Sequence, residues 1–205
     1  MDFKTLEESS TMQEFLPENY LPDSNLWEAG RETSIFKTPI FELVSVPKVS
    51  PDKTISGNFF KIESKDWVNV IALTQDENVI LIDQYRHGLH SYCLEIPGGI
   101  ADKNSILESA QAELREETGF ASDDWEYLGK ISANPAILNN WCHTYIARNI
   151  YPHPGGQDLD ESEQIEVYQY PLNKVPEILD KNILHHGMVV AAFGLFFLKY
   201  GEKKK

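Results

Sequence analysis

Apolar residues along the middle of this chain fall in short continuous runs rather than in alternation. Trp67 to Leu73 and Val79 to Ile82 are such runs, with Asp76, Glu77 and Asn78 between them. Unbroken apolar runs of this length suit strands covered on both faces, and the polar trio suits a turn. A third strand-like run, Tyr92 to Ile96, leads through Pro97 into Gly98 and Gly99. The period then changes. Ser105 and Glu108 make an S-x-x-E capping box, and Gly119 supplies the left-handed residue that commonly ends a helix. A helix of about four turns is predicted between them, with Ala110 and Leu114 on one stripe that packs on a sheet. Ser34 to Val49 and Ile55 to Ser64 read as strands separated by Pro47 and by Pro51-Asp52-Lys53, and Ile165 to Tyr168 as a later strand. Val189 to Leu198 is strongly apolar but shorter than the ~20 residues that span a bilayer, so it is read as a buried C-terminal helix.

The predicted central helix carries unusual chemistry. Glu113, Glu116 and Glu117 stand at i, i+3 and i+4, side by side on one helical face. Like charges at this spacing cost roughly 0.2–0.5 kcal/mol per pair on an exposed helix, and a hard cation with oxygen ligands removes that cost. Acidic helical faces are usually just solvated. Here the face follows a strand and a glycine pair that lets backbone approach an ion or ligand closely, and the three parts form one unit. Glu95 lies in an otherwise apolar run, where a carboxylate needs a partner: a metal, an arginine or a substrate hydroxyl.

These residues resemble the Nudix hydrolase superfamily. Its signature runs Gly, five residues, Glu, seven residues, Arg-Glu-apolar-any-Glu-Glu-any-Gly-apolar, and Glu113, Leu114, Glu116, Glu117, Gly119 and Phe120 all stand where it asks. The chain departs from it at Ala112, where the signature has arginine, and at Asn104, where it has the early glutamate. The loop from Gly99 is also one residue short. In the family that arginine orients a neighbouring glutamate, and Arg115, one turn on, is the substitute at hand, with Arg86 more distant. Gln84-Tyr85-Arg86 ahead of Leu94-Glu95-Ile96-Pro97-Gly98-Gly99 looks like the ADP-ribose pyrophosphatase branch, as do Asn134-Pro135-Ala136 and Asn139-Asn140.

The resemblance, which covers about residues 35 to 195, implies an α/β (α+β) Nudix fold with a mixed sheet sandwiched between helices. It implies Mg²⁺, or Mn²⁺, held by Glu113, Glu116, Glu117 and the Gly98 carbonyl. Arg86, Glu95 and Asn134 become candidates for substrate contact. Glu161 and Glu163, in the acidic loop Asp158 to Glu163, become candidates for the base that takes a proton from water, with Glu116 and Glu117 as the catalytic pair on the helix. Trp67 and Tyr85 are candidates to stack on a base. The implied reaction is hydrolysis of a nucleoside diphosphate sugar, most readily ADP-ribose to AMP and ribose 5-phosphate; the alternative is a nucleotide-sugar-binding or regulatory module weakened by Ala112. Strands ahead of the main domain commonly pair across a homodimer in this branch.

Composition narrows the field further. The net charge of −14 over 205 residues disfavours nucleic acid or an anionic membrane as partner. Two cysteines, Cys93 and Cys142, both in strand-like runs, give neither a disulfide framework nor a zinc cluster, and His143, His153, His185 and His186 show no zinc spacing. The N-terminus lacks a basic start and an apolar core, so a cytoplasmic protein is expected. The expected organisation is a polar segment over 1–33, a small β subdomain over 34–65, the main domain over 66–200 and a basic tail over 201–205.

Overall fold

The computed structural model describes residues 26–161 and 163–201, so the expectations for the first residues and for most of the basic tail lie outside the described residues. The described residues form two compact units, one from residues 26–31 and 46–59 and the other from 32–45 and 60–201. The first strands are β1 (Glu28–Ala29), β2 (Thr33–Lys37), β3 (Glu42–Val49) and β4 (Ser56–Glu63).

In the first unit, β1 pairs antiparallel with the end of β3, Glu28 opposite Val49. Ser50 and Ile55 close the following turn through a 2.8 Å bond from the Ser50 N–H to the Ile55 carbonyl, and Asp52 accepts from the Thr54 N–H at 3.1 Å. Trp27 meets Phe59 edge to face at 5.3 Å.

In the second unit, β2 runs antiparallel to the start of β3, with Lys37 opposite Glu42. The single strand expected over Ser34 to Val49 is therefore broken. Thr38 turns the chain there: its hydroxyl accepts from the Phe41 N–H at 2.9 Å, and the next residue, Pro39, has no N–H for a ladder. Pro47, expected to end the strand, instead lies within β3 at an exposed position, and its carbonyl accepts from Gly30.

The main body of this unit adds β5 (Trp67–Ala72), β6 (Asn78–Arg86), β7 (Ser91–Glu95), β8 (Gly98–Ile100), α1 (Ile106–Thr118), β9 (Phe120–Ala121), β10 (Asp124–Ser132), β11 (Trp141–Arg148), β12 (Tyr151–Pro152), β13 (Ile165–Pro171), α2 (Val175–Asp180) and α3 (Gly187–Tyr200). One sheet has the order β10-β11-β5-β8, with β11 and β5 parallel and the other pairs antiparallel. A second has the order β13-β6-β7, all antiparallel.

Alternation along β5 and β6 explains their continuous apolarity. Val68, Val70, Ala72 and Ile80 pack with Ala110 and Leu114 of α1. Ile71, Leu73, Val79 and Leu81 pack on the other side with Val175 and Ile178 of α2 and with Val189, Ala192, Phe193 and Phe196 of α3. Both faces are covered, so neither needs polar residues. The result is a mixed sheet between helices, as expected. α3 is buried on one face only, since Val190 and Leu198 are exposed, and among the described residues no helix is long and apolar enough to cross a membrane.

α3 is anchored by charge as well as by packing. Glu126 of β10 accepts from Arg148 of β11 at 2.8 Å, from Lys199 at 2.5 Å and from the Tyr200 hydroxyl. The Lys199 and Tyr200 hydrogen bonds outweigh desolvation and hold the Glu126 carboxyl down at about 2. A carboxyl depressed in the folded state adds stability that is present above its ordinary value of 4.5 and lost as pH falls toward 2. Glu126→Gln is expected to destabilise the protein by up to about 1 kcal/mol at neutral pH, the range of exposed ion pairs. In urea melts the gap between variant and parent closes as pH drops from 5 to about 2.5.

Candidate active site

Local signals on α1 place the three glutamates. Ser105 caps the helix, its hydroxyl accepting from the Glu108 N–H at 3.1 Å. The reciprocal half of the expected capping box does not form, because the Glu108 carboxylate accepts instead from the Asn104 side chain at 3.1 Å. Gly119, at φ 71°, ends the helix with its N–H on the Arg115 carbonyl, 2.8 Å away. Side chain and backbone from a later loop satisfy two of the remaining helix carbonyls. The Asp158 N–H donates to Glu116 at 2.9 Å, and the Gln157 amide donates to Glu117 at 2.7 Å. The acidic loop is thereby tied to the end of the helix that carries the glutamates.

The glycine pair decides how closely those glutamates approach the sheet. The Gly98 N–H donates to Glu117 Oε2 at 2.7 Å. A Cβ on Gly99 would lie 2.6 Å from the carboxylate carbon of Glu113, and one on Gly98 would lie 2.8 Å from Asn69 Oδ1. The missing side chain at Gly99 lets α1 set Glu113 against β8, and that at Gly98 lets β8 pair closely with β5.

Electrostatics follow from this closeness. Burial first, then the charges of Glu116, Glu163 and Asp102, push the Glu113 carboxyl up to about 7. Glu117 is 2% exposed, and burial together with Glu113 raises its carboxyl well above the ordinary value against the opposing Gly98 bond. Glu116 is drawn aside by Arg115 at 3.0 Å. Arg115 thus reaches a glutamate of the site, while Ala112, in the place of the signature arginine, is buried.

The carboxylates open on a cavity of about 610 Å³, lined also by Gln84, Arg86, Gly98, Gly99, Asp102, Lys103, Asp158, Asp160 and Glu163. Among the described residues no three His, Cys, Asp or Glu side chains converge as a ready-made cage. Glu117 is turned to the Gly98 N–H and Glu116 to Arg115, which accounts for the spread. The donors fit a hard divalent cation nonetheless: they are all oxygens, two of the carboxyls repel each other in a buried setting, and the buried Gln84 Oε1 has no hydrogen-bond partner.

Arg86 lines the same cavity, held by two 2.7 Å bonds from its Nε and Nη2 to the buried Glu95 carboxylate. This pair supplies the partner that Glu95 was expected to need. The other candidates are distributed less evenly. Glu163 lines the cavity, whereas Glu161 is exposed and outside its wall. Asn134 sits in an exposed turn, its carbonyl accepting from the Leu138 N–H at 2.8 Å, and is not part of the acidic cavity's wall. Tyr85 packs edge to face on Tyr92 at 5.3 Å, away from the acidic cavity. Gln84, Asp158 and Asp160 also line the cavity, and for Gln84 the sequence signal is its place two residues past Ile82, on the same face of β6.

A model of the NUDIX domain matches residues 65–189, more than half of the chain. The chain belongs to the Nudix hydrolase family. Its likeness lies with the ADP-ribose pyrophosphatase-like branch. Over 121 residues it is 31% identical to the ADP compounds hydrolase NudE of Escherichia coli, covering 58% of this chain and 64% of that protein. Over 142 residues it is 35% identical to the ADP-sugar pyrophosphatase of Mus musculus, covering 62% and 63%. It is also 27% identical over 139 residues to a methanol dehydrogenase activator of Bacillus methanolicus, covering 67% and 75%. A crystal structure of an ADP compounds hydrolase shares the fold, with a TM-score of 0.74 at 23% identity over 85% of this chain and 96% of that one.

The Gly99 contact gives a direct test of the geometry. In Gly99→Ala the new methyl displaces the Glu113 carboxylate, a mobile side-chain end, so the thermal midpoint changes little while Mn²⁺ affinity measured by calorimetry falls about tenfold or more.

Proposed function

We propose that this Nudix hydrolase cleaves the pyrophosphate bond of a nucleoside diphosphate sugar in a Mg²⁺-dependent reaction, with ADP-ribose yielding AMP and ribose 5-phosphate. The observation that carries this reading is the single cavity where Glu113, Glu116 and Glu117 face Arg86 across Gly98 and Gly99. The named activities of the Escherichia coli and mouse relatives support it.

Glu113, Glu116, Glu117 and the Gly98 carbonyl would hold the cation, which when bound neutralises phosphate oxygens and makes water more acidic. Glu163 is assigned to take the proton from attacking water, a choice over Glu161 that is supported by Glu163 lining the cavity and Glu161 not. Water attacks one phosphorus, the bridging P–O bond breaks, and the departing phosphate keeps that oxygen. Arg86, fixed in orientation by Glu95, pairs with the pyrophosphate oxygens. Asn134, on its turn, would reach substrate only through movement of the loop.

The decisive experiment measures AMP released from ADP-ribose with and without Mg²⁺. Glu117→Gln is expected to lower the rate by at least about 100-fold, and an unchanged rate would sink the assigned site. A second reading, a nucleotide-sugar-binding regulatory module, is favoured by Ala112 and by the likeness to the methanol dehydrogenase activator. It would be established by calorimetric binding of ADP-ribose with no turnover in Mg²⁺ or Mn²⁺.

We further infer a homodimer, supported by the exposed apolar residues Ile35, Phe36, Ile40 and Phe60 of the second unit. Light scattering is expected to give twice the chain mass, and Phe36→Asp to shift it toward the monomer.

A further inference from the structure

The segment that takes up the C-terminal end of α1 is also the one that leads to Glu163. The His153 N–H donates to the Gly119 carbonyl at 2.7 Å, the Gln157 side-chain amide to the Glu117 carbonyl at 2.7 Å, and the Asp158 N–H to the Glu116 carbonyl at 2.9 Å. The His153 and Asp158 bonds come from the backbone and form with any side chain in place. Of the three, only the Gln157 bond depends on residue type, because it needs an N–H donor at the end of a side chain of this length. It falls on Glu117, so one residue carries a candidate cation ligand on its side chain and holds the loop by its backbone.

Beyond Asp158 the chain has little freedom before it reaches the cavity. Asp160 and Glu163 close a turn: the Glu163 N–H donates to the Asp160 carbonyl at 2.9 Å, and the Asp160 N–H donates back to Glu163 Oε2 at 3.1 Å. On the far side Ile165 enters β13 opposite Gln84, a residue of the cavity wall. The Glu163 carboxylate is therefore tied to a backbone amide three residues from Gln157, and Gln157 is tied to α1. Its charge is felt there, adding to the burial that raises both Glu113 and Glu117. A proton acceptor works only within hydrogen-bond reach of its water, and a misplacement of about 1 Å costs up to about 100-fold in rate.

We propose that Gln157 is a positioning residue: its grip on the Glu117 carbonyl sets the Glu163 carboxylate against the cation-binding face of α1. Gln157 lies outside the cavity wall and acts through Glu163. A plain helix-capping role would leave a different mark, a loss of stability indifferent to the residue at 163. The inference rests on the hydrolase reading above, with Glu163 as proton acceptor, and its test separates the two.

That test is a double-mutant cycle on the full chain. With ADP-ribose and Mg²⁺, Gln157→Ala is expected to lower kcat about tenfold or more, with KM within about twofold and the thermal midpoint lower by a few degrees at most. Gln157→Glu, which keeps the length but carries acceptors only, acts the same way. In a Glu163→Gln background, already slowed, Gln157→Ala is expected to change kcat by less than about twofold, because the group it positions is no longer a base. The same cycle read by calorimetry with Mn²⁺ alone needs no turnover: each single variant weakens the metal about threefold, and the double variant no further. An unchanged kcat in Gln157→Ala, or an equal loss with and without the Glu163 carboxylate, would overturn the positioning role and leave the hydrolase reading intact. If the parent does not hydrolyse ADP-ribose, that reading fails and the Mn²⁺ cycle decides: a shared loss upholds the placement of Glu163 by Gln157, and additive losses or none overturn it.

Discussion

Two glutamates one turn apart on α1, Glu117 buried and Glu113 half-buried, are set against a strand of glycines, and much of this structure is arranged around that fact. Burial raises the proton affinity of both, the charges of Glu116 and Glu163 add to it for Glu113 and the charge of Glu113 adds to it for Glu117, and the Gly98 N–H is the hydrogen bond that opposes this for Glu117. A fold does not keep mutually repelling carboxyls in a buried setting for stability's sake, since neutral packing of similar volume is commonly as good or better. The arrangement makes physical sense as a binding site for positive charge. It also dictates its surroundings: glycine at 99, because a Cβ would strike Glu113, and a helix end at Gly119 whose carbonyls are taken up by Gln157 and Asp158.

Arg86 is the counterweight. In a chain of net charge −14, an arginine at an acidic cavity would be free to collapse on whichever carboxylate lies nearest. The bidentate bond to Glu95 prevents that, because the fork of the guanidinium is fixed by two bonds of 2.7 Å while the rest of the group still borders the cavity. Arg115 plays a smaller part on the helix itself. It engages Glu116 rather than restoring the missing arginine at 112, so the orientation of Glu116 comes from within the same turn of helix.

The layered core supplies the rigidity that such a site requires. β5 and β6 are buried on both faces, between α1 on one side and α2 with α3 on the other. β8 pairs with β5 through Gly98, Gly99 and Ile100, so the glycine strand is held in register by the most buried strand of the domain. Placing carboxylates on a packed helix and backbone amides on a paired strand limits the freedom of both.

Much of this was legible in the sequence because it depends on local spacing. The capping serine, the terminal glycine, the i, i+3, i+4 glutamates and the doubly buried strands are properties of neighbouring residues, and helix and strand periodicity expresses them directly. Local chemistry also misled where a nearby competitor won. Thr38 broke an expected strand with its own hydroxyl, and Asn104 took the Glu108 carboxylate that would have completed the capping box. Pairings across long stretches of sequence could only be decided by the tertiary structure. The sequence named Glu95 as a carboxylate in need of a partner, and folding chose Arg86; it named two glutamates of one acidic loop, and folding brought only Glu163 to the cavity. His186 and Asn69 lie more than a hundred residues apart and carried no shared signal. Both border one recess because α3, which His186 precedes, packs on β5, and burial, not spacing, leaves one polar atom of each without a partner.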